Sequence, residues 1–159
     1  MKLEVISGGQ TGVDRAALDT AIRYDLACGG WCPPGRLAED GPLSNHYPLT
    51  ELKSGGYPAR TRRNVKDADA TLIIHGGVAG RGTGLTINTC KQLDKPMLIL
   101  NLKGVNANSD FSEQKKSITE FLNTHKVKVL NVAGPRASGW AGGYGLSRKI
   151  LAPVFARYA

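Results

Sequence analysis

Ile6-Ser7-Gly8-Gly9-Gln10-Thr11-Gly12 is the stretch that decides the fold. The apolar, β-branched run Leu3–Ser7 leads into it and reads as a strand. Val13–Leu26 follows, with Leu18, Ile22 and Leu26 one helical turn apart and Ala17 and Ala21 beside them, which reads as a helix. A strand that ends in glycines and turns straight into a helix leaves backbone N–H groups pointing outward. The helix dipole adds partial positive charge there, so the turn suits a phosphate or another anion.

Two later stretches repeat the arrangement. His75-Gly76-Gly77-Val78-Ala79-Gly80-Arg81-Gly82-Thr83-Gly84 follows the apolar run Thr71–Ile74. Gly134-Pro135-Arg136-Ala137-Ser138-Gly139-Trp140-Ala141-Gly142-Gly143 follows Val127–Val132. On one parallel sheet, three such turns would meet in a single crevice at the strand C-termini.

The rest of the chain fills in the pattern. Cys28–Cys32 is a short second strand at best, and residues 33–58 read as loop, broken by Pro33-Pro34-Gly35, Gly41-Pro42, Pro48 and Gly55-Gly56-Tyr57-Pro58. A loop of that length points to a flap or binding loop. Arg60–Asp67 reads as a short basic helix, Ala70–Ile74 as a strand and Thr83–Asp94 as a helix. Met97–Leu102 is apolar throughout, which predicts a strand buried on both faces. Ser112–His125 is helical, with Ile118, Phe121, Leu122 and His125 on one face; Lys128–Val132 is the last strand; Leu146, Ile150, Val154 and Tyr158 mark a closing helix. The alternation predicts an α/β protein: one doubly wound Rossmann-like domain over residues 1–159 with a mainly parallel five-stranded sheet.

Composition agrees with a soluble globular chain: 41% of residues are hydrophobic and 21% charged. No apolar run approaches the roughly 20 residues of a membrane helix, so no membrane partner is expected. Met1-Lys2-Leu3-Glu4-Val5 lacks the zones of a signal peptide, which predicts a cytoplasmic location. Cys28 and Cys32 stand in C-x3-C spacing and Cys90 stands alone; they read as reduced thiols, with a redox or metal role as the alternative. No protein-bound metal is predicted. Net charge is +8, but residues 1–59 hold five Lys/Arg against seven Asp/Glu, and residues 60–159 sixteen against six. That asymmetry suggests an anionic small molecule first and nucleic acid second; the alternative is a solvated basic surface. The aromatic content of 6% disfavours nucleic acid, whose single strands are held by stacking.

Within the turns, Gly8, Gly9 and Gly12 allow close approach of a ligand, Thr11 offers a cap or a hydroxyl, and Asp14 either complements the helix dipole or contacts a ligand hydroxyl. The turn lacks the lysine of a P-loop and the full dinucleotide fingerprint. In the second turn Gly76, Gly77, Gly80 and Gly82 surround Arg81, whose fork suits phosphate, and Thr83 is the expected N-cap. The third offers Gly134, Arg136 and Ser138. Arg60, Arg62 and Arg63 read as a solvated helix face or a phosphate clamp, His75 as a candidate crevice residue, and His125 as a partly buried packing residue. Asp67 and Asp69 are expected to cap local turns, and Asp14 is the one carboxylate placed in a glycine turn.

Ile6-Ser7-Gly8-Gly9-Gln10-Thr11-Gly12-Val13-Asp14-Arg15-Ala16-Ala17-Leu18, Asp69-Ala70, Gly80-x-Gly82-Thr83 and Asn131-Val132-Ala133-Gly134-Pro135-Arg136-x-Ser138 resemble the motifs of the molybdenum carrier family, the circularly permuted YpsA-like branch of the SLOG superfamily. The resemblance implies a Rossmann-like fold related to the molybdenum cofactor carrier and LOG-type proteins. It implies a nucleotide derivative or a pterin phosphate such as molybdenum cofactor, held at Gly8, Gly9, Gln10, Thr11, Gly12, Asp14, Gly80, Gly82, Thr83, Gly134, Arg136 and Ser138. It also implies a homo-oligomer. The catalytic glutamate of LOG-type phosphoribohydrolases has no counterpart: in one alignment of the glycine turn its position falls on Thr86, in another near Gly82 or Thr83. Binding is therefore the favoured expectation, with a nucleotide-processing hydrolase using Asp14 as acid/base as the alternative. Single-stranded nucleic-acid binding, as in the DprA branch, comes third.

Overall fold

The computed structural model describes residues 2–159. Its elements run β1 (Glu4–Ile6), α1 (Val13–Arg23), β2 (Ala27–Gly29), β3 (Trp31–Cys32), β4 (Thr50–Glu51), α2 (Tyr57–Asp67), β5 (Ala70–His75), α3 (Arg81–Gln92), β6 (Met97–Asn101), α4 (Ser112–Thr124), β7 (Val129–Ala133) and α5 (Gly143–Phe155). Five strands form one all-parallel sheet in the order β2-β1-β7-β5-β6.

That order explains where the helices lie. The steps β1 to β2 and β6 to β7 cross the sheet in one direction; β2 to β5 and β5 to β6 cross in the other. Right-handed crossovers then put α1 and α4 on one face and α2 and α3 on the opposite one. α5 joins the first pair: Ile150, Leu151 and Phe155 pack with Val13 and Ala17 of α1, Ile118 and Leu122 of α4, and the inward residues Val5, Leu72 and Val132. Strand alternation turns Thr71, Ile73 and Asn131 to the other face, where all three are buried. The chain is therefore a doubly wound α/β fold of the Rossmann-like kind.

Three expectations change. β6 is an edge strand paired with β5 alone. Leu98, Leu100 and Leu102 face the core, but Ile99 between them is 39% exposed, so the apolar run is not buried on both faces. Residues 33–58 are more ordered than a loop: β4 within them pairs in parallel with β3, just before them, as a small second sheet. Cys32, Ala38, Leu43 and Leu49 pack around Leu18 of α1 as a separate core. Arg36 donates its guanidinium to the carbonyls of Leu43, Ser44, Tyr47 and Leu49. His125 is exposed, lying edge-on to Phe121 at 5.0 Å, because α4 ends at Thr124 before its stripe completes another turn.

The two aspartates expected to cap local turns reach further. Asp69 accepts the N–H groups of Lys128 and Val129 and so fixes β7 against β5. Asp67 accepts from Trp31 Nε1 at 2.8 Å and from Arg63 Nε at 3.2 Å.

Candidate functional site

Because β7 lies between β1 and β5, the three glycine turns emerge side by side from the C-terminal edge of the sheet. This is the switch point of the doubly wound topology, where crossovers leave on opposite faces and a crevice opens. A cavity of about 570 Å³ lies there. Gly8, Gln10 and Asp14 of the first turn, Gly80, Arg81, Gly82 and Thr83 of the second and Gly134 and Arg136 of the third line it. Tyr57, Arg60 and Asn64 of α2 complete one wall.

The remaining candidates stand behind the lining. Gly9 backs onto Leu43 and Leu49, Gly12 onto the backbone of Pro135 to Ala137, Gly76 onto the Trp140 ring and Gly77 onto Lys103. Thr11 Oγ1 donates to Glu39 and accepts from Ala137 N–H. Ser138 Oγ donates to Glu39 Oε2 at 2.6 Å. Glu39 also stands 3.5 Å from Arg136 Nε, and its N–H donates to Gln10 Oε1 at 2.8 Å. It is thus the clasp between the 33–58 segment and two of the turns. The hydroxyls of Ser138 and Thr11, with Arg136, hold its carboxyl below the usual glutamate range. His75 is outside the lining; its Nδ1 accepts from Gly77 N–H at 3.0 Å.

Backbone donors are not open in all three turns. In the first, Ser7 Oγ takes the Gly9 N–H, Asp14 takes that of Gln10 and the Gln10 side chain takes that of Thr11. In the third, the N–H groups of Ala137, Ser138, Gly139 and Trp140 are all engaged. The second differs. α3 starts after Gly80 with no side-chain cap and no acid in its first turn, and Gly80, Arg81, Gly82 and Thr83 line the cavity. Thr83 is not the N-cap; it lies inside the helix, 3% exposed. Arg81 beside it is exposed. Thr86 lines the cavity, with its hydroxyl donated to Gly82 O at 3.0 Å.

Asp14 is the one carboxylate in the lining, against Arg60, Arg81 and Arg136. It is buried, with Oδ2 3.5 Å from Arg60 Nη1. Burial raises its pKa to about 6, against the pull of Arg60, Arg15 and the N–H groups of Gln10 and Gly134. Arg60 was legible only as a helix-face or clamp candidate. Its side chain is 10% exposed, donates from Nη1 to Gly8 O at 3.0 Å, and stacks 5.2 Å from the Tyr57 ring centre. Asn131, buried in β7, also reaches the cavity; its Nδ2 donates to Thr71 Oγ1 at 3.3 Å. A polar residue in an otherwise apolar strand is the sequence signal for it.

Among the described residues no group of three or more His, Cys, Asp or Glu is placed to hold a metal ion. Cys28, Cys32 and Cys90 are free thiols, each raised in pKa by burial, which favours the protonated thiol. No described helix is long and apolar enough to cross a membrane.

No curated protein matches the chain. Among solved structures it is similar to one from Syntrophus aciditrophicus SB named "Putative molybdenum carrier protein". The two share 40% identity and a TM-score of 0.89, over 97% of this chain and 94% of that one. The model of the circularly permuted YpsA SLOG family matches residues 5–155. On the strength of that match and of the shared fold, the chain belongs to the circularly permuted YpsA SLOG family.

Proposed function

We propose that the protein binds a phosphorylated small molecule, a nucleotide derivative or molybdenum cofactor, as a carrier. The observation that carries this reading is the pairing of an uncapped α3 N-terminus with Arg81 and Arg136 around one cavity. Free N–H groups, the helix dipole and guanidinium forks all favour a phosphate. Val78, Leu85, Pro58 and Pro135 supply apolar walls for a ring system. The name of the 40% identical neighbour supports molybdenum cofactor as cargo.

Native mass spectrometry of freshly purified protein tests the proposal. A co-purified pterin or nucleotide mass, lost in Arg81→Ala, is the expected result. Failure to retain any such molecule, with no binding of added AMP or pyrophosphate, sinks it.

A second reading is favoured by one feature, the buried Asp14 with its raised pKa. Such a carboxyl suits a general acid or base. In a nucleotide hydrolase it would take a proton from water as the oxygen bonds to the anomeric carbon and the base departs with the bond's electron pair. Release of free base from AMP, abolished in Asp14→Asn, would establish turnover; no release supports the carrier.

A further inference from the structure

Arg60 has no role in the phosphate-binding arrangement just described, yet it is the most enclosed cation in the cavity wall. It reaches from α2 across to the first glycine turn, donating to Gly8 O at 3.0 Å and, more weakly, from Nε to Tyr57 O at 3.4 Å. The Tyr57 ring lies against it, and Asp14 Oδ2 is 3.5 Å from Nη1. A buried guanidinium held by a carbonyl, a ring and a carboxylate cannot swing out to meet a ligand without leaving all three. Asp14, by contrast, is the one acidic group among the described residues lining the cavity, and the side-chain oxygens of its neighbours Gln10 and Asn64 are already taken by the N–H groups of Thr11, Glu39 and Trp31. Charged neighbours are few: Arg60 faces it from α2 and Arg15 from its own helix, while Arg81 and Arg136 line the cavity from α3 and the third turn.

We propose that Arg60 is a positioning residue: it locks the first turn through Gly8 and keeps Asp14 as the cavity's hydrogen-bond acceptor for a hydroxyl or amino group of the ligand. The inference rests on the ligand reading above and adds a second recognition pole to it. A molecule that fits carries phosphate at one end and O–H or N–H donors at the other, as a ribosyl phosphate or an aminated ring does. Phosphate alone satisfies only the α3 end.

The test follows the Asp14 carboxyl carbon by NMR in the full-length protein, from about pH 4 to about pH 9, with AMP and pyrophosphate titrated alongside. Three proteins are compared: wild type, Arg60→Met and Arg60→Lys. In the wild type the midpoint is expected near 6. Arg60→Met should raise it by roughly one unit or more, since the opposite charge is gone. Arg60→Lys keeps the charge without the fork and should fall between. Near neutral pH, Arg60→Met should lose AMP affinity about tenfold while pyrophosphate affinity changes less. A midpoint that stays put in both variants overturns the inference, as does AMP binding that is equal in wild type and Arg60→Met. If Arg60→Met does not fold, Arg60→Lys decides the midpoint. Wild type that titrates as expected but binds neither probe sinks the ligand reading instead, and the carboxyl titration alone then judges the hold of Arg60 on Asp14.

Discussion

Gly8 carries no side chain because Arg60 occupies the place where one would go. A β-carbon on Gly8 would collide with the Arg60 guanidinium and Cδ, and Arg60 is too enclosed to move aside freely. Gly8→Ala is expected to cost about 1–3 kcal/mol of stability, as overpacking does. Urea denaturation checks this. In a Gly8→Ala, Arg60→Ala double variant the losses should add to less than their sum, since the clash disappears with Arg60.

Stability should fall with rising pH across the range in which Asp14 ionises. Its folded pKa of about 6 lies above the ordinary 3.8, so the native state holds the proton more tightly than the unfolded chain. The resulting stabilisation is complete below the unfolded value and is lost as pH climbs through about 6. At about 1.4 kcal/mol per unit the change is on the order of 3 kcal/mol. Asp14→Asn should flatten this part of the stability profile, while Glu39, whose pKa is lowered, contributes the opposite slope in both proteins. Parallel profiles in wild type and Asp14→Asn would show that Asp14 does not titrate in this range.

Arg36 is the internal scaffold of the 33–58 segment. Its backbone is left-handed, at φ 56, and its guanidinium meets four carbonyls. Arg36→Ala removes every one of those bonds, for an expected loss of about 1–3 kcal/mol. Limited proteolysis between Arg36 and Leu49 should accelerate. Arg36→Lys should rescue little, because an ammonium lacks the fork.

Arg81 is exposed at the start of α3 and engaged in no ion pair among the described residues. Arg81→Ala should leave stability within about 0.5 kcal/mol of wild type. Its affinity for AMP or pyrophosphate should drop about tenfold, with weaker dependence on salt. Unaltered binding by calorimetry would move the phosphate site away from α3.

The sequence read the strand-glycine-helix units well because that signal is local: apolar period, glycine, apolar period. It also picked out Asp14, Arg81 and Arg136, which line the cavity. It could not say which glycines line the cavity. Gly9, Gly12, Gly76 and Gly77 serve instead to let leucines, backbone, Trp140 and Lys103 come close. Those partners are remote in the chain. Arg60 sat in a run of three basic residues, and nothing in that run distinguishes the buried arginine from Arg62 and Arg63, which are exposed. The pairing of β3 with β4 was equally hidden, since two-residue strands carry no period.

The chain by itself therefore determined the α/β alternation and the positions of three turns, because both follow from neighbouring residues. Only the tertiary structure decided the strand order, and with it the insertion of β7 between β1 and β5 that brings the turns together. It also decided which donors stay open at the cavity. Oxygens of Ser7, Gln10, Asp14, Thr11 and Glu39 accept from N–H groups of the first and third turns, and such bonds depend on where the folded backbone brings side chains into reach.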